Sequence, residues 1–291
     1  MNGNVIDSHQ HFWQVGRFDY PWMSADNATL YRDFLPGDLE PILSHRGVRR
    51  TVLVQASNSL AETRWLLELA DRHAFIGGVV GWVDLTSPRV EEQVAAFIAH
   101  PKFKGVRHLV ESEPADDWLV QPQVIRGLNA LAARGVTYDL LVHTPHLKHV
   151  LTVAERCPGL RMVVDHLAKP PIAAGEIKQW SREMRAVAQV PGIHCKLSGL
   201  VTEADPARWT TADLTPYVEC ALEWFGPRRM MIGSDWPVCL LAATYERALD
   251  AYQELLAGLN EYERQAVLAG TAASFYQLQD HLSTDAETLT P

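Results

Sequence analysis

The sequence contains little cysteine, no excess of basic residues and no long apolar run. The four cysteines, Cys157, Cys195, Cys220 and Cys239, form no C-x-x-C pair, which speaks against a disulfide framework or a cysteine zinc site. A formal net charge of -9 argues against binding to nucleic acid or an anionic membrane. No segment approaches the roughly 20 apolar residues of a membrane helix, and we identify no signal peptide. We therefore expect a cytoplasmic protein that acts on a small molecule.

Several nucleotide and nucleophile motifs are absent as well. No G-x-G-x-x-G follows a predicted strand, and no G-x-x-x-x-G-K-[ST] occurs. The sequence therefore contains no motif for a dinucleotide-binding site or a P-loop. Ser198 and the cysteines lack a G-x-S-x-G context, which excludes a nucleophile elbow. The 291 residues are 47% hydrophobic without a shift in composition. We expect one domain over residues 1–291, with a frayed tail near 280–291.

Short apolar runs rich in Val, Ile and Leu alternate with longer segments of helical periodicity. This alternation is typical of βαβ units around a parallel sheet. Eight repeats favour an α/β fold of the closed (β/α)8 TIM-barrel type, although an open doubly wound sheet has a similar pattern. The predicted strands cover residues 5–11, 51–56, 76–83, 104–110, 137–143, 162–166, 193–198 and 230–233.

Polar and ionisable residues collect at the predicted carboxyl ends of these strands, where barrels of this kind build active sites. They are His9, His11, Gln55, Trp82, Asp84, Arg107, His108, His143, Asp165, His166, Lys196, Ser198 and Asp235. A structural role explains some of them, because strand ends lie near solvent. It explains the whole set poorly, so we interpret the set as a functional site.

His9 and His11 are the centre of this expected site. At positions i and i+2 of a strand, their side chains emerge on one face, although a solvated pair has the same spacing. Together with Asp235 they supply the ligand chemistry of a catalytic zinc with an open position. Asp235 is the candidate general base, and His166 would orient or share its proton. The alternative for His166 is a core histidine bonded to a carbonyl.

A second group of residues is expected to bind substrate. It comprises Arg107, Trp13, Trp82, His143, Lys169 and Trp236. Period-two counting turns only one of Arg107 and His108 inward, and we favour Arg107, whose guanidinium offers a rigid fork of donors. The aromatic stretch 12–34 either fastens a loop to the body or forms a pocket wall. A solvated position is an equal alternative for Lys169.

Five stretches in this order carry a resemblance to the amidohydrolase superfamily, and more narrowly to its sugar-lactone hydrolases. That branch is also related to the lactonase that opens 2-pyrone-4,6-dicarboxylate. The stretches are Asp7-Ser8-His9-Gln10-His11-Phe12-Trp13, Glu62-Thr63-Arg64-Trp65-Leu66-Leu67, Gly105-Val106-Arg107-His108, Asp165-His166-Leu167-Ala168-Lys169-Pro170 and Ser234-Asp235-Trp236-Pro237.

The resemblance implies an amidohydrolase-type barrel that hydrolyses an aldonolactone, with L-fucono-1,5-lactone as the favoured substrate. His9, His11, His166 and Asp235 match the family's active-site positions. Binuclear members carry a carboxylated lysine or a glutamate at the end of strand four, where this chain has Arg107 and His108. The resemblance therefore implies either one divalent metal, zinc, on His9, His11 and Asp235, or no metal at all. A metal-dependent decarboxylase and a non-catalytic sugar-binding barrel are the alternatives.

Overall fold

A computed structural model describes residues 5–278 and shows eight parallel strands that pair in chain order. The predicted (β/α)8 barrel is confirmed, while the tail predicted near 280–291 lies outside the described residues. The strands are β1 Val5–Gln10, β2 Val48–Val54, β3 Ile76–Gly81, β4 Phe103–His108, β5 Thr137–Leu140, β6 Met162–Val164, β7 Ile193–Leu197 and β8 Met230–Ile232.

Helices follow the strands and surround the barrel. They are α1 Pro36–Arg46, α2 Leu60–Arg72, α3 Val90–Ile98, α4 Pro122–Ala133, α5 Leu147–Arg156, α6 Lys178–Ala188, α7 Leu200–Glu203, α8 Thr211–Phe225, α9 Tyr245–Leu255, α10 Glu261–Gln265 and α11 Thr271–Phe275. The short helix α7 was not predicted, because four residues give no recognisable period. Within residues 5–278, none of the helices has the length and apolar character needed to span a membrane.

Hydrogen bonds between β1 and the segment after β8 close the barrel. The Ser8 hydroxyl donates to the Ile232 carbonyl at 2.6 Å. The backbone N–H of Asp235 donates to the His9 carbonyl at 2.8 Å, and that of His11 donates to the Trp236 carbonyl at 2.7 Å. The closure thus runs through the residues predicted to form the site, and it fixes their separation.

An irregularity in β1 turns both histidines into the barrel. Ile6 packs in the barrel interior with Val52, Val80 and other apolar residues. Strict alternation would then point His9 away from the interior. The pairing of β1 with β2 shifts register between Asp7 and Gln10, which restores an inward direction to His9.

The last described helix plugs the opposite end of the barrel. Phe275 and Tyr276 pack with Val163 and Met231 of the interior. The Tyr276 hydroxyl donates to Asp139 Oδ2 at 2.7 Å. Side chains fill this end of the barrel, and the cavity opens at the other end, toward the carboxyl ends of the strands.

Strand β6 ends at Val164, two residues before the predicted end at His166. From His166 to Lys169 every φ angle is positive, between 48° and 59°, so the chain leaves the strand in a left-handed turn. Non-glycine residues rarely adopt this conformation, because Cβ approaches the following carbonyl oxygen. Local residue preferences therefore could not indicate this turn.

Glu62, in the first turn of α2, fixes the loop that follows β2. Ser59 caps the helix by accepting from the Glu62 N–H at 3.2 Å. The buried Glu62 carboxylate accepts from the backbone N–H groups of Ala56 at 3.1 Å and Ser57 at 2.9 Å. Burial raises the pKa of Glu62 to about 8, although these two hydrogen bonds oppose the shift.

We predict that the free energy of unfolding falls as pH rises between about 5 and 8, and that Glu62→Gln reduces this slope. The folded-state pKa lies above the unfolded value of about 4.3, so the folded chain holds the extra proton. Each unit of pKa difference corresponds to about 1.4 kcal/mol. Urea unfolding at several pH values measures the effect.

Glu68→Gln, an exposed change on the same helix, is the control and should leave the slope unchanged. Equal slopes for the wild-type protein and Glu62→Gln would contradict a protonated Glu62 in the folded state.

Candidate active site

Four of the predicted residues meet at the carboxyl end of the barrel. His9 Nε2 and His11 Nε2 are 3.1 Å apart. Asp235 Oδ1 lies 3.4 Å from His11 Nε2, 3.7 Å from His9 Nε2 and 3.9 Å from His166 Nε2. All four side chains are buried, at most 4% exposed as residues, so their ionisation and hydrogen bonds are set by each other.

The protonation of His11 follows from a single contact. Its Nδ1–H donates to the Val54 carbonyl at 2.8 Å, because a carbonyl oxygen only accepts. Burial lowers the pKa of His11 below its usual value, which favours the neutral ring. The Nε2 lone pair therefore points toward His9 and Asp235, where it can serve as a ligand or an acceptor.

Beneath His9 lies a network of fully buried charges. Lys196 Nζ donates to Asp139 Oδ2 at 2.6 Å and lies 3.0 Å from Asp165 Oδ1. His9 Nδ1 is 3.1 Å from Lys196 Nζ and 3.4 Å from Asp165 Oδ1. Burial and the Lys196 charge lower the pKa of His9 well below its usual range, so His9 is neutral. The network fixes the ring in one orientation.

Asp165 and Lys196 were predicted at strand ends without a role, and Asp139 was not predicted. The available signal was a single charge inside the apolar strands β5 and β7. Burial raises the pKa of Asp139 to about 6, against the opposing Lys196 charge. Lys196, His9 and Arg107 together overcome burial at Asp165 and hold its pKa well below the usual range.

Arg107 faces the interior and His108 faces away from it, in agreement with the predicted register. Arg107 Nη1 lies 3.2 Å from His9 Nε2 and 3.4 Å from Asp165 Oδ2. Its Nε and Nη2 donate to Gln55 Oε1 at 3.2 and 3.0 Å. The guanidinium is therefore held rigidly at the base of the cavity.

His108 instead belongs to a cluster outside the barrel. It stacks on Trp118 with ring centroids 3.9 Å apart, and its Nε2 lies 2.7 Å from Glu113 Oε1. The Trp82 indole N–H donates to His108 Nδ1 at 3.0 Å. Trp82 was expected to hold substrate, but this contact draws it away from the cavity lining.

The left-handed turn after β6 places His166 and Lys169 in the cavity wall, while Leu167 and Ala168 enter the core. Such backbone costs about 1–2 kcal/mol per residue. Ser198 Oγ, 2.8 Å from His166 Nδ1, holds the ring. Burial lowers the pKa of His166, so the ring is neutral near pH 7.

A cavity of about 320 Å³ opens above these residues, which is within the range of small-molecule sites. Its lining residues are His11, Trp13, Trp22, Asn27, Leu30, Ala56, Arg107, Leu109, Glu111, Leu141, His166, Lys169, Gly199, Thr202, Glu203, Asp235, Val238 and Leu241. Glu111 and Glu203 were not predicted, because they lie outside the strand ends.

The aromatic loop after β1 both fastens to the body and forms part of the wall. Trp13 is fully buried and donates to the Arg32 carbonyl at 2.9 Å, yet it also lines the cavity beside Trp22. Trp236 was expected to bind substrate but packs edge-on against Phe34 outside the lining. His143 lines a neighbouring depression that shares Lys169 with the main cavity.

The donor set of His9, His11 and Asp235 fits a zinc ion. Ligand atoms at about 2.0–2.1 Å from a tetrahedral zinc lie about 3.3 Å from one another. The observed separations of 3.1, 3.4 and 3.7 Å match these edges. A second donor set, His9, Asp165 and His166, fits less well because Lys196 and Arg107 already pair with Asp165.

One carboxylate oxygen of Asp235, Oδ1, lies near the three imidazoles, and the other oxygen points away from them. Its φ angle of 58° is left-handed, and the backbone bond to the His9 carbonyl holds this conformation. Burial opposes ionisation, but His166, His11 and His9 hold the pKa of Asp235 below its usual range. Asp235 is therefore an ionised carboxylate at neutral pH and can accept a proton.

A family model described as amidohydrolase matches residues 6–278, and the chain therefore belongs to the amidohydrolase family. Within that family it is 40% identical to an L-fucono-1,5-lactonase of Burkholderia ambifaria, over 94% of this chain and 95% of that protein. An L-fucono-1,5-lactonase of Burkholderia multivorans is also 40% identical, over 96% of this chain and 98% of that protein.

A crystal structure of an amidohydrolase from Burkholderia multivorans with bound zinc has the same fold. It is 39% identical to this chain and superposes with a TM-score of 0.89, covering 95% of this chain and all of that one. The zinc in that structure agrees with the ligand chemistry of the donor set in this chain.

We predict that the metal-free chain binds one zinc ion, and that His11→Ala weakens the binding at least about 100-fold. Removing a group that only orients a metal ligand lowers metal affinity about 10–100-fold. Removing one of three protein ligands should lower it more. Competition with a chromophoric chelator measures the zinc affinity. His100→Ala, which removes a histidine that pairs with Asp71, is the control. Binding unaffected by His11→Ala would place the metal elsewhere.

We predict that Gly199→Ala destabilises the protein by about 1–3 kcal/mol more than Gly47→Ala does. Both glycines have left-handed φ angles, 64° and 67°, so the backbone strain is matched. An added Cβ at Gly199 would lie 2.5 Å from His166 Nδ1, whereas none of the described residues lies within 4 Å of one at Gly47. Urea unfolding measures both variants, and equal losses would contradict a tightly packed His166.

Proposed function

We propose that this protein hydrolyses a sugar lactone to its aldonic acid, with L-fucono-1,5-lactone as the favoured substrate. The observation that carries the proposal is the ionised Asp235 carboxylate, which lines a cavity among three neutral imidazoles. The 40% identity to two L-fucono-1,5-lactonases, over nearly the full length of each, supports the same reaction.

In the first step, Asp235 accepts a proton from a water molecule that attacks the lactone carbonyl carbon. A carbon–oxygen bond forms, and the carbonyl oxygen gains negative charge. The Arg107 guanidinium at the cavity base stabilises this charge, a contribution that is usually large in acyl transfer. Because Gln55 and Asp165 hold the guanidinium in place, its positive charge is already positioned before the reaction begins.

In the second step, the bond from the acyl carbon to the ring oxygen breaks. Asp235 returns its proton to that oxygen, which becomes a hydroxyl, and the carboxylic acid product ionises in water. His166, 3.9 Å from Asp235 Oδ1, orients the carboxylate and stabilises its charge. One aspartate thus acts first as a base and then as an acid.

His9, His11 and Asp235 would hold the zinc ion that the donor set fits. When bound, zinc polarises a carbonyl oxygen as a Lewis acid. His11 would supply its free Nε2 lone pair, and His9 would be oriented by the Asp165 carboxylate on its Nδ1 side. Arg107 Nη1, 3.2 Å from His9 Nε2, places a positive charge beside this donor set.

The sugar ring would lie between the aromatic loop and the left-handed turn. Arg107, Lys169 and the Trp13 and Trp22 side chains then contact its hydroxyls and apolar face. We propose a cytoplasmic location as well, because the four cysteines are free, as a reducing compartment would keep them.

Asp235→Asn should lower kcat for L-fucono-1,5-lactone at least about 100-fold, because the amide cannot accept the proton of water. The isosteric change should leave the free energy of unfolding nearly unaltered. Acid release, followed with a pH indicator and corrected for spontaneous hydrolysis, measures the rate. Near wild-type turnover by a folded Asp235→Asn variant would contradict the assignment.

The same assay before and after chelation decides whether the metal is required. Activity that survives chelation indicates that the side chains act without zinc, and activity lost and restored by zinc indicates that they act with it. Carbon dioxide release from an aromatic acid, with no acid from any lactone, would favour the decarboxylase alternative.

A further inference from the structure

Glu203 presents a carboxylate in the cavity wall that no side chain of the described chain neutralises. Its residue is half-buried and lines the same cavity as Asp235. Within residues 5–278, the Glu203 side chain has no hydrogen bond and no ion pair, although Lys169 and His143 lie in its vicinity. The acceptor oxygens of this carboxylate are therefore open to hydrogen-bond donors of a ligand in the cavity.

The nearest cation is already committed to another acid. Lys169 Nζ donates to Glu111 Oε2 at 2.5 Å, and His143 Nε2 lies 3.1 Å from the same oxygen. These contacts neutralise Glu111 and overcome its burial, so the pKa of Glu111 falls to about 2. Glu203 is left with its negative charge, and burial raises its pKa.

The backbone holds Glu203 in a defined position. Helix α7 begins after Gly199, whose left-handed φ of 64° turns the chain beneath His166. The Thr202 hydroxyl donates to the Gly199 carbonyl at 2.7 Å, and the Ala173 N–H donates to the Glu203 carbonyl at 2.9 Å. These bonds fix the backbone of Glu203 and thereby the place at which its side chain enters the cavity wall.

The charge of the cavity restricts the class of ligand. After the Glu111–Lys169 pair cancels, Asp235 and Glu203 outnumber the single cation Arg107 among the lining residues. Asp235 belongs to the zinc donor set, so Glu203 is the carboxylate that a substrate group at this part of the wall meets, and it repels a substrate carboxylate there. A neutral ligand with hydroxyl groups would instead donate to Glu203, whose two oxygens can accept from neighbouring hydroxyls.

We propose that Glu203 is a specificity-determining residue that binds substrate hydroxyls and selects neutral polyhydroxylated lactones over carboxylated ones. This inference rests on the proposed lactone hydrolysis. It adds a residue that binds substrate hydroxyls away from the reacting carbonyl. Glu203 takes no proton in the reaction, so its contribution lies in binding rather than in bond cleavage.

The test compares Glu203→Gln with the wild-type protein on two six-membered lactones, L-fucono-1,5-lactone and the hydroxyl-free δ-valerolactone. Charged hydrogen bonds contribute about 1.5–3 kcal/mol, so kcat/KM for the hydroxylated lactone should fall about 10- to 100-fold, mainly through KM. The rate on δ-valerolactone should stay unchanged. Glu176→Gln, an exposed glutamate of the neighbouring depression, is the matched control and should change neither rate.

Equal losses on both lactones would overturn the inference, because they would indicate a structural or chemical role for Glu203. Unchanged rates on both would overturn it as well. Urea unfolding of Glu203→Gln separates these results from a folding defect. If the wild-type protein releases acid from neither lactone, the proposed hydrolysis itself is contradicted. The results above that overturn the inference differ from this one, because in them the wild-type protein is active.

Discussion

The buried Asp7 carboxylate joins the first and last strands, and the geometry of the site depends on it. It accepts from the Ser234 N–H at 2.8 Å, the Ser234 hydroxyl at 2.6 Å and the Tyr245 hydroxyl at 3.1 Å. The His9 N–H, 3.2 Å away, also donates to it. Burial raises the pKa of Asp7 to about 6, against these bonds. This side chain therefore supports the backbone hydrogen bonds that close the barrel and place His9 relative to Asp235.

The barrel interior contains buried charges in addition to the apolar layer that packs against the plug. Lys196 and Arg107 compensate Asp139 and Asp165, all at most 3% exposed. Burying such pairs seldom stabilises a protein, because desolvation offsets their attraction. Here the pairs hold His9 and Arg107 at fixed positions below the cavity. The left-handed backbone from His166 to Lys169 and at Asp235 adds further cost at the same site. The apolar core around the barrel offsets this cost.

The structural features that follow a local rule could be predicted from the sequence. The spacing of His9 and His11, the choice of Arg107 over His108 and the strand-helix alternation all express regular periods of strands and helices. The shift in β1 and the left-handed turn after β6 break those periods, so no pattern indicates them. Trp82 and Trp236 were expected at the cavity but pack elsewhere, because their partners His108 and Phe34 are determined by tertiary contacts. Glu203 lies on a four-residue helix and gains its place from packing alone.

The central claim is that water attacks the lactone carbonyl at a site that contains Asp235. The most direct measurement is mass spectrometry of the acid formed from L-fucono-1,5-lactone in ¹⁸O-labelled water, with spontaneous hydrolysis subtracted. We predict one labelled oxygen in the carboxylate for each enzymatic turnover and none in the released ring hydroxyl. Label in that hydroxyl, or no formation of acid above the spontaneous rate, would contradict the account.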